Sequence, residues 1–396
     1  MSTMNVVLFD DQRRANLLPL AYTRPVADIR TGILTIREKW ESLLGQTTST
    51  RTEPYLAAKF PLLVADENLF INGSVFPTAE LIHAIMKLEN GEALVHEDIL
   101  VAVNLEQERA RSFDPFKDNW SNISSFGGNL SGLSALWDIF SLNGEQIQAD
   151  FEMITAGRTS QQVSATNNII GNNLFVENGA KVEYATINTD QGAVYIGKDT
   201  EIMEGSLIRG PFALCEGAQV KMGAKVYGPT TIGPGSRIGG EVTNCVVQAN
   251  SNKGHDGFLG NSVIGEWCNL GADTNNSNLK NNYGDVKMWS YTKQDYESTG
   301  LQFCGLVMGD HSKAGINTMF NTGTIVGVNA NVFGSGFPNK FIPSFSWGGA
   351  DGFSTFNVEK AKEVATKMCE RRGVEFDKND QEILDNLFEM TKEFRT

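Results

Sequence analysis

The chain is poor in positive charge, in histidine and in long apolar runs. Lys and Arg number 33 against 47 Asp and Glu, for a net charge of −14. A nucleic-acid binder would need a basic face, so that class is excluded. A phosphorylated ligand is not, because a few local Arg and Lys residues can hold one. No apolar stretch approaches the roughly 20 residues that cross a bilayer. The N-terminus shows no charged segment followed by an apolar run and a cleavage site, so neither a membrane partner nor a secretory leader is expected. Cysteine is scarce as well: Cys215, Cys245, Cys268, Cys304 and Cys369 are scattered, odd in number and form no C-x-x-C pair. That pattern fits reduced thiols in the cytoplasm rather than a disulfide framework or a zinc site. Cys215 and Cys245 read as small core residues rather than nucleophiles.

What the chain has instead is a period. Ile196, Ile202, Ile208, Leu214, Val220, Val226, Ile232 and Ile238 lie six apart. Neither a helix nor a half-buried strand sustains that spacing. A six-residue repeat is the signature of a parallel β-helix built from short strands and turns. Ile170, Val176 and Val182 keep the phase before this run; Phe258, Ile264 and Leu270 keep it after an offset; Met308, Ala314, Phe320, Val326 and Val332 resume it. The solenoid is therefore expected over roughly 165–340, with interruptions near 240–257 and 273–305. Insertions in a repetitive scaffold tend to gather on the functional face.

The flanks read differently, and three domains are predicted: 1–155, 156–345 and 346–396. The first is α/β. Val6–Phe9, 62–65, 69–71 and 100–103 read as strands. Residues 31–44 have helical apolar spacing, and Pro77-Thr78 opens a helix that Asn90-Gly91 stops. Residues 105–150 are polar and irregular. Beyond about 355 two apolar stripes predict helices. A β-helix has open ends, and a terminal helical cap is the expected cover.

Of four histidines, His83 falls in a helix and His96 in a loop. His255 and His311 sit beside the two interruptions, in glycine-flanked segments. A neutral imidazole is the usual general base near neutral pH. The residues alone leave open which of the two is the base.

The segment Lys253-Gly254-His255, Phe258-Leu259-Gly260, Ile264-Gly265, Asn269-Leu270-Gly271-Ala272 and Thr274 resembles the acetyltransferase half of the bifunctional N-acetylglucosamine-1-phosphate uridylyltransferase/glucosamine-1-phosphate acetyltransferase family. The resemblance implies a left-handed, trimerising β-helix. General chirality would favour right-handed crossovers, so the hand comes from the resemblance alone. It implies His255 as the base that takes a proton from a sugar amine, with acetyl-CoA as acyl donor. Asn278 would position the sugar, and Asn269 and Ala272 would lie near the acetyl group and pantetheine. Phe258 replaces the family tyrosine, Thr243 a lysine, and Asp273 a glycine. Lys253 and Arg209 are candidates to replace a lost phosphate contact, and His311 remains a substrate-side candidate.

The N-terminal part resembles the family's nucleotidyltransferase half more faintly. Leu18-Pro19-Leu20 and Thr23-Arg24-Pro25 match, but Asp10-Asp11-Gln12-Arg13-Arg14 stands where a Gly-rich triphosphate loop belongs. Arg13, Arg14 and Arg24 are the substrate candidates there. Asn72-Gly73-Ser74-Val75-Phe76-Pro77 lacks the family's Mg²⁺ aspartate, which leaves Asp10 or Asp11 as substitutes. The whole chain resembles a shortened, Bacteroidetes-type form of this family. The resemblance implies a cytoplasmic homotrimer in UDP-N-acetylglucosamine biosynthesis, acting on a sugar phosphate and a nucleotide. The alternative is a non-catalytic sugar-nucleotide-binding or assembly protein with altered sites.

Overall fold

The computed structural model describes residues 4–395. Its contacts separate two compact units. One holds residues up to 17, 21–29 and 34–135; the other holds 18–20, 30–33 and 136 onward.

The first unit is built on six strands: β1 (Asn5–Phe9), β2 (Ser49–Arg51), β3 (Glu67–Asn72), β4 (Glu92–His96), β5 (Ile99–Glu106) and β6 (Asn122–Ser125), in the order β2-β1-β3-β5-β4-β6. β1 runs parallel to both neighbours, whereas β5 is antiparallel to β3 and β4. The buried run Val6-Val7-Leu8-Phe9 suits a central strand covered on both faces. On one face Phe113 packs edge-on against Phe9, at 5.3 Å, and tilted against Phe70, at 4.5 Å. Helix α1 (Ile36–Leu44) starts on a Thr35/Glu38 capping box and stops at Gly45, which takes φ +68. Helix α2 (Ala79–Ile85) is capped by Thr78, and α3 (Gln107–Ser112) follows β5. Four expectations fail locally. Residues 62–65 form no strand, and His96 ends β4 rather than lying in a loop. Helix α2 stops at Ile85, short of Asn90-Gly91. The helix predicted from 31 begins only at 36, because the backbone of Arg30–Ile33, bent at Gly32 with φ +84, is bound by outside partners in the second unit.

There, helices α4 (Asp138–Ser141) and α5 (Asn143–Thr155) receive that strip. Thr31 Oγ donates to the Ile139 carbonyl at 2.8 Å, the Gly32 amide to Asn143 Oδ1 at 2.7 Å and the Ile33 amide to Asp150 Oδ2 at 2.8 Å. Gln248 closes both backbone groups of Arg30. A run whose backbone is satisfied from outside has no cause to coil. Both helices fall in the stretch read from sequence as irregular.

The rest of the unit is a parallel β-helix. Ile196 pairs with Leu214 and Leu214 with Ile232, 18 residues per coil and six per face. The aliphatics of the six-residue period stack into one interior core. One corner needs a left-handed residue on every coil. Gly217 and Gly235 supply it at no steric cost, and Asn250, Trp267, His311, Asn329 and Phe345 supply it in later coils.

The two predicted interruptions differ in kind. Near 240–257 there is no excursion: Ile232 pairs with Val247 and Ile238 with Lys253, so the coil has merely lost three residues. Near 273–305 a real insertion occurs. The return from Ile264 to Met308 takes 44 positions and carries an antiparallel hairpin, Lys287–Ser290 with Asp295–Ser298. Two phase assignments slip by one residue. Ile169 packs on the core while Ile170 is 37% exposed, and Leu259 fills the core where Phe258 was expected.

The C-terminal helices α6 (Val358–Glu370) and α7 (Lys378–Met390) are present. Their contacts run along a flank of the coils. Arg372 donates to the Gly235 carbonyl at 2.6 Å, Phe376 meets His311 edge-on, and Phe388 meets Phe345 at 5.1 Å.

Candidate active site

His255 lies at a corner in the run of shortened coils. Register pairs Asn252 with Asn269, an offset of 17. The same offset places Ala272 over His255 on the next coil, and the Asp273 amide donating to the Asp256 carbonyl at 3.1 Å fixes that stacking. Adjacent coils are about 4.8 Å apart, so one small ligand reaches both. His255 and Asp256 are exposed. Among the described residues, nothing bonds the His255 ring, and the Ala272 amide has no acceptor. Asp273, with φ +54, puts a second exposed carboxylate beside Asp256.

Lys253 lies beneath this corner. It takes the interior column position above Ile238, where the repeat calls for an aliphatic, and is only 3% exposed. Its ammonium donates to the carbonyls of Gly239 at 3.0 Å and His255 at 2.9 Å. Burial brings its pKa down to about 8. The lysine expected to meet substrate thus holds the backbone of His255 from inside.

Asn278 and Phe258 gather on the neighbouring face, where a Cβ on Gly260 would strike both. Asn278 Nδ2 donates to Asn261 Oδ1 at 2.7 Å. Asn275 Oδ1 accepts from the Phe258 amide at 2.7 Å. Asn276 bonds both the amide and the carbonyl of Gly260, at 2.9 and 3.0 Å. The Asn-rich segment therefore docks on its own chain. Asn261, 9% exposed with φ +47, belongs to this set. Sequence reading missed it; its 17-residue offset from Asn278 was the available signal. Asn269 is exposed on the sheet face one coil above Asn252. His311 is apart from all of these. It is buried in the left-handed corner column, stacked on Trp267 at 6.4 Å and against Phe376 at 5.8 Å. The cysteines are buried, and burial pushes the Cys245 and Cys304 thiols up to about 12, so neither offers a thiolate.

In the first unit a cavity of about 460 Å³ opens at the carboxyl ends of β1 and β2, lined by Asp10, Arg51, Thr52, Asp114 and Phe116 among others. Ligands of open α/β sheets bind at such strand ends. Asp10 and the charged residues that follow it are spent on one another. Asp10 accepts from the Val26 amide at 2.9 Å and from Thr52 Oγ at 2.6 Å, with Arg14 at 3.4 Å. Burial, outweighing Arg14, raises its carboxyl to about 6. Asp11 takes Arg13 at 2.8 Å and Asn72 Nδ2 at 2.8 Å. Arg14 also reaches Tyr55 at 2.8 Å and the Ala21 carbonyl, and Arg24 is buried. Two carboxylates so fully hydrogen-bonded do not fit a divalent cation, which needs open oxygens. Among the described residues no group of three His, Cys, Asp or Glu could hold a metal. No helix among them is long and apolar enough to cross a membrane.

Residues 6–159 match the sugar nucleotidyl transferase family. An uncharacterized acetyltransferase, YaiX of Escherichia coli O6:K15:H31, is 26% identical over 160 residues, which is 40% of this chain and 69% of the relative. The bifunctional protein GlmU of Methanocaldococcus jannaschii is 34% identical over 104 residues, 26% of this chain and 25% of that one. A bifunctional sugar-1-phosphate nucleotidylyltransferase/acetyltransferase of Sulfurisphaera tokodaii is 29% identical over 154 residues, 38% of each chain. The chain thus spans a quarter to about two thirds of the length of these relatives. The match over residues 6–159 and these likenesses bear out the resemblance carried by the motifs: the chain is similar to GlmU-like bifunctional sugar-1-phosphate nucleotidyltransferase/acetyltransferases.

Proposed function

We propose that the β-helix transfers an acetyl group from acetyl-CoA to the amine of a hexosamine 1-phosphate, with His255 as general base. The observation that carries this reading is the exposed, unpartnered His255 imidazole stacked beneath the free amide of Ala272. The amine nitrogen attacks the thioester carbonyl. As the N–C bond forms, the imidazole accepts the nitrogen's proton. The Ala272 amide donates to the oxyanion of the tetrahedral intermediate. Collapse breaks the C–S bond, and the proton passes from His255 to the departing thiolate. Asp256 and Asp273 draw an ammonium-bearing sugar to this corner. Asn278, set by Asn261, orients the sugar, while Asn269 lies toward the pantetheine. Phe258 gives an apolar wall, with no hydroxyl to contribute. The site is completed between copies of a homotrimer, in the cytoplasm and in the service of amino-sugar nucleotide synthesis.

For the first unit the match of residues 6–159 to the sugar nucleotidyl transferase family supports nucleotidyl transfer to the sugar 1-phosphate. A specific observation favours a second reading, sugar-nucleotide binding without turnover: Asp10, Asp11, Arg13 and Arg14 neutralise one another, and neither Asp10 nor Asp11 is left open for Mg²⁺.

The test is acetyl-CoA consumption with glucosamine 1-phosphate, for the wild type and for His255→Ala and His311→Ala. Loss confined to His255→Ala supports the assignment; full activity in that variant sinks it. Pyrophosphate release from UTP with a sugar 1-phosphate separates the two readings of the first unit.

A further inference from the structure

A second feature of the β-helix unit shares only Asn269 with the chemistry above. Between one coil face and helix α6 lies a cleft of about 370 Å³. Its floor is one column of the solenoid: Arg237 pairs with Asn252, Asn252 with Asn269 and Asn269 with Lys313, one residue per coil. Arg371 and Arg372 close it from the end of α6. No carboxylate is among the residues that line it.

That composition is out of keeping with a chain of net charge −14. Three guanidinium groups line this one cleft, and burial, with the charges of Arg237 and Arg371, lowers the proton affinity of Arg372. Like charges held this way destabilise the empty cleft and are relieved by an anion. Arg372 is aimed by two bonds, to the Gly235 carbonyl and at 3.1 Å to Asn252 Oδ1. Arg371 is exposed. Lys313 donates to the His311 carbonyl at 2.8 Å, which fixes its ammonium at the far end of the floor. Arg237 and Lys313 are three coils apart, about 14 Å at the usual strand spacing. A single phosphate cannot touch both ends. Asn252 and Asn269 offer amides in between, suited to an uncharged linking portion.

We propose that this cleft binds an elongated anion carrying more than one phosphoryl group, with a diphosphate held by Arg237, Arg371 and Arg372. The chemistry is shared by free nucleoside polyphosphates and by the ADP half of coenzyme A. The inference does not depend on acyl transfer, because its readout is binding.

Isothermal calorimetry with inorganic pyrophosphate at low ionic strength tests it on the full chain. Binding is expected for the wild type. Arg371→Gln and Arg237→Gln should each weaken it about tenfold or more, the scale of a charge-assisted pair. Lys198→Gln, an exposed position outside the cleft, should leave it unchanged. Arg371 makes no bond that the fold needs, so that variant stays folded even if Arg237→Gln does not. Competition then separates the sources. Displacement by ATP assigns a free nucleotide, and displacement by coenzyme A alone assigns the ADP half of an acyl carrier; both retain the cleft as a phosphate site. Absence of pyrophosphate binding to the wild type, or equal affinity in Arg371→Gln, overturns the proposal.

Discussion

The two compact units treat their polar residues in opposite ways. In the first, the charged residues after β1 satisfy one another: Asp10 with Arg14, Asp11 with Arg13 and Asn72. In the β-helix the interior is so regular that, Lys253 apart, charged groups are expelled to corners and faces, and His255 is left with an open ring. A group that has spent its hydrogen bonds internally stabilises; one that has not is available for chemistry. The comparison says where turnover belongs and where structure does.

The largest expected effect tests the open side of that comparison. His255→Ala should lower kcat/KM for acetyl transfer by about 10²–10⁴-fold, the usual worth of a general base, with unchanged circular dichroism. Arg14→Met should leave that rate alone. If Arg14→Met abolished acetyl transfer instead, the division of roles would be wrong.

On the closed side, Arg14→Met removes the guanidinium from a carboxylate that is almost wholly buried. Stranding one partner of a buried pair costs on the order of 3 kcal/mol, to be read as a lower denaturation midpoint for the first unit. A stable variant that had lost nucleotide binding would show that this arginine faces ligand.

A smaller effect probes the Asn-rich segment. Asn276→Ala removes one hydrogen bond from the amide of Gly260 and one from its carbonyl, which keeps Ser262 Oγ at 2.7 Å. Two such losses amount to about 2 kcal/mol. The KM for sugar should also rise, because Asn278 lies two residues on. Unchanged stability would mean that the segment is not docked in solution.

How much of this was legible in the sequence follows from the same contrast. In the solenoid each coil repeats one packing rule, so the aliphatic period predicted fold, core and the positions of the irregular coils. It misled where coil length changed, since the loss of three residues between Ile238 and Lys253 looks the same as a loop. It also misread Lys253, because an interior lysine is recognisable only once its two carbonyl acceptors are known. His311 shows the reverse error: its glycine-flanked segment pointed to a site, but His311 is itself the left-handed corner residue, covered by Phe376. In the α/β unit the strands were legible from their apolar runs. The mutual neutralisation after β1 was not, because Asp10 meets Thr52 and Asp11 meets Asn72 only through the sheet.

The smallest prediction sets the two units against each other by pH. Unfolded Lys253 keeps its proton to about 10.5, whereas the folded form releases it near 8. Between those values the unfolded state holds more protons, so stability rises with pH. Asp10 has the opposite sign: folded, it keeps a proton up to about 6, and unfolded it loses it near 3.8, so stability falls as pH rises through that window. Lys253→Met should therefore remove about 1 kcal/mol of the rise between pH 7 and 9, and Lys313, also brought down to about 8 by burial, should supply what remains. Urea titrations at several pH values would measure both slopes. A Lys253→Met slope equal to that of the wild type would mean that the ammonium is solvated, and that the corner carrying His255 is not held from within.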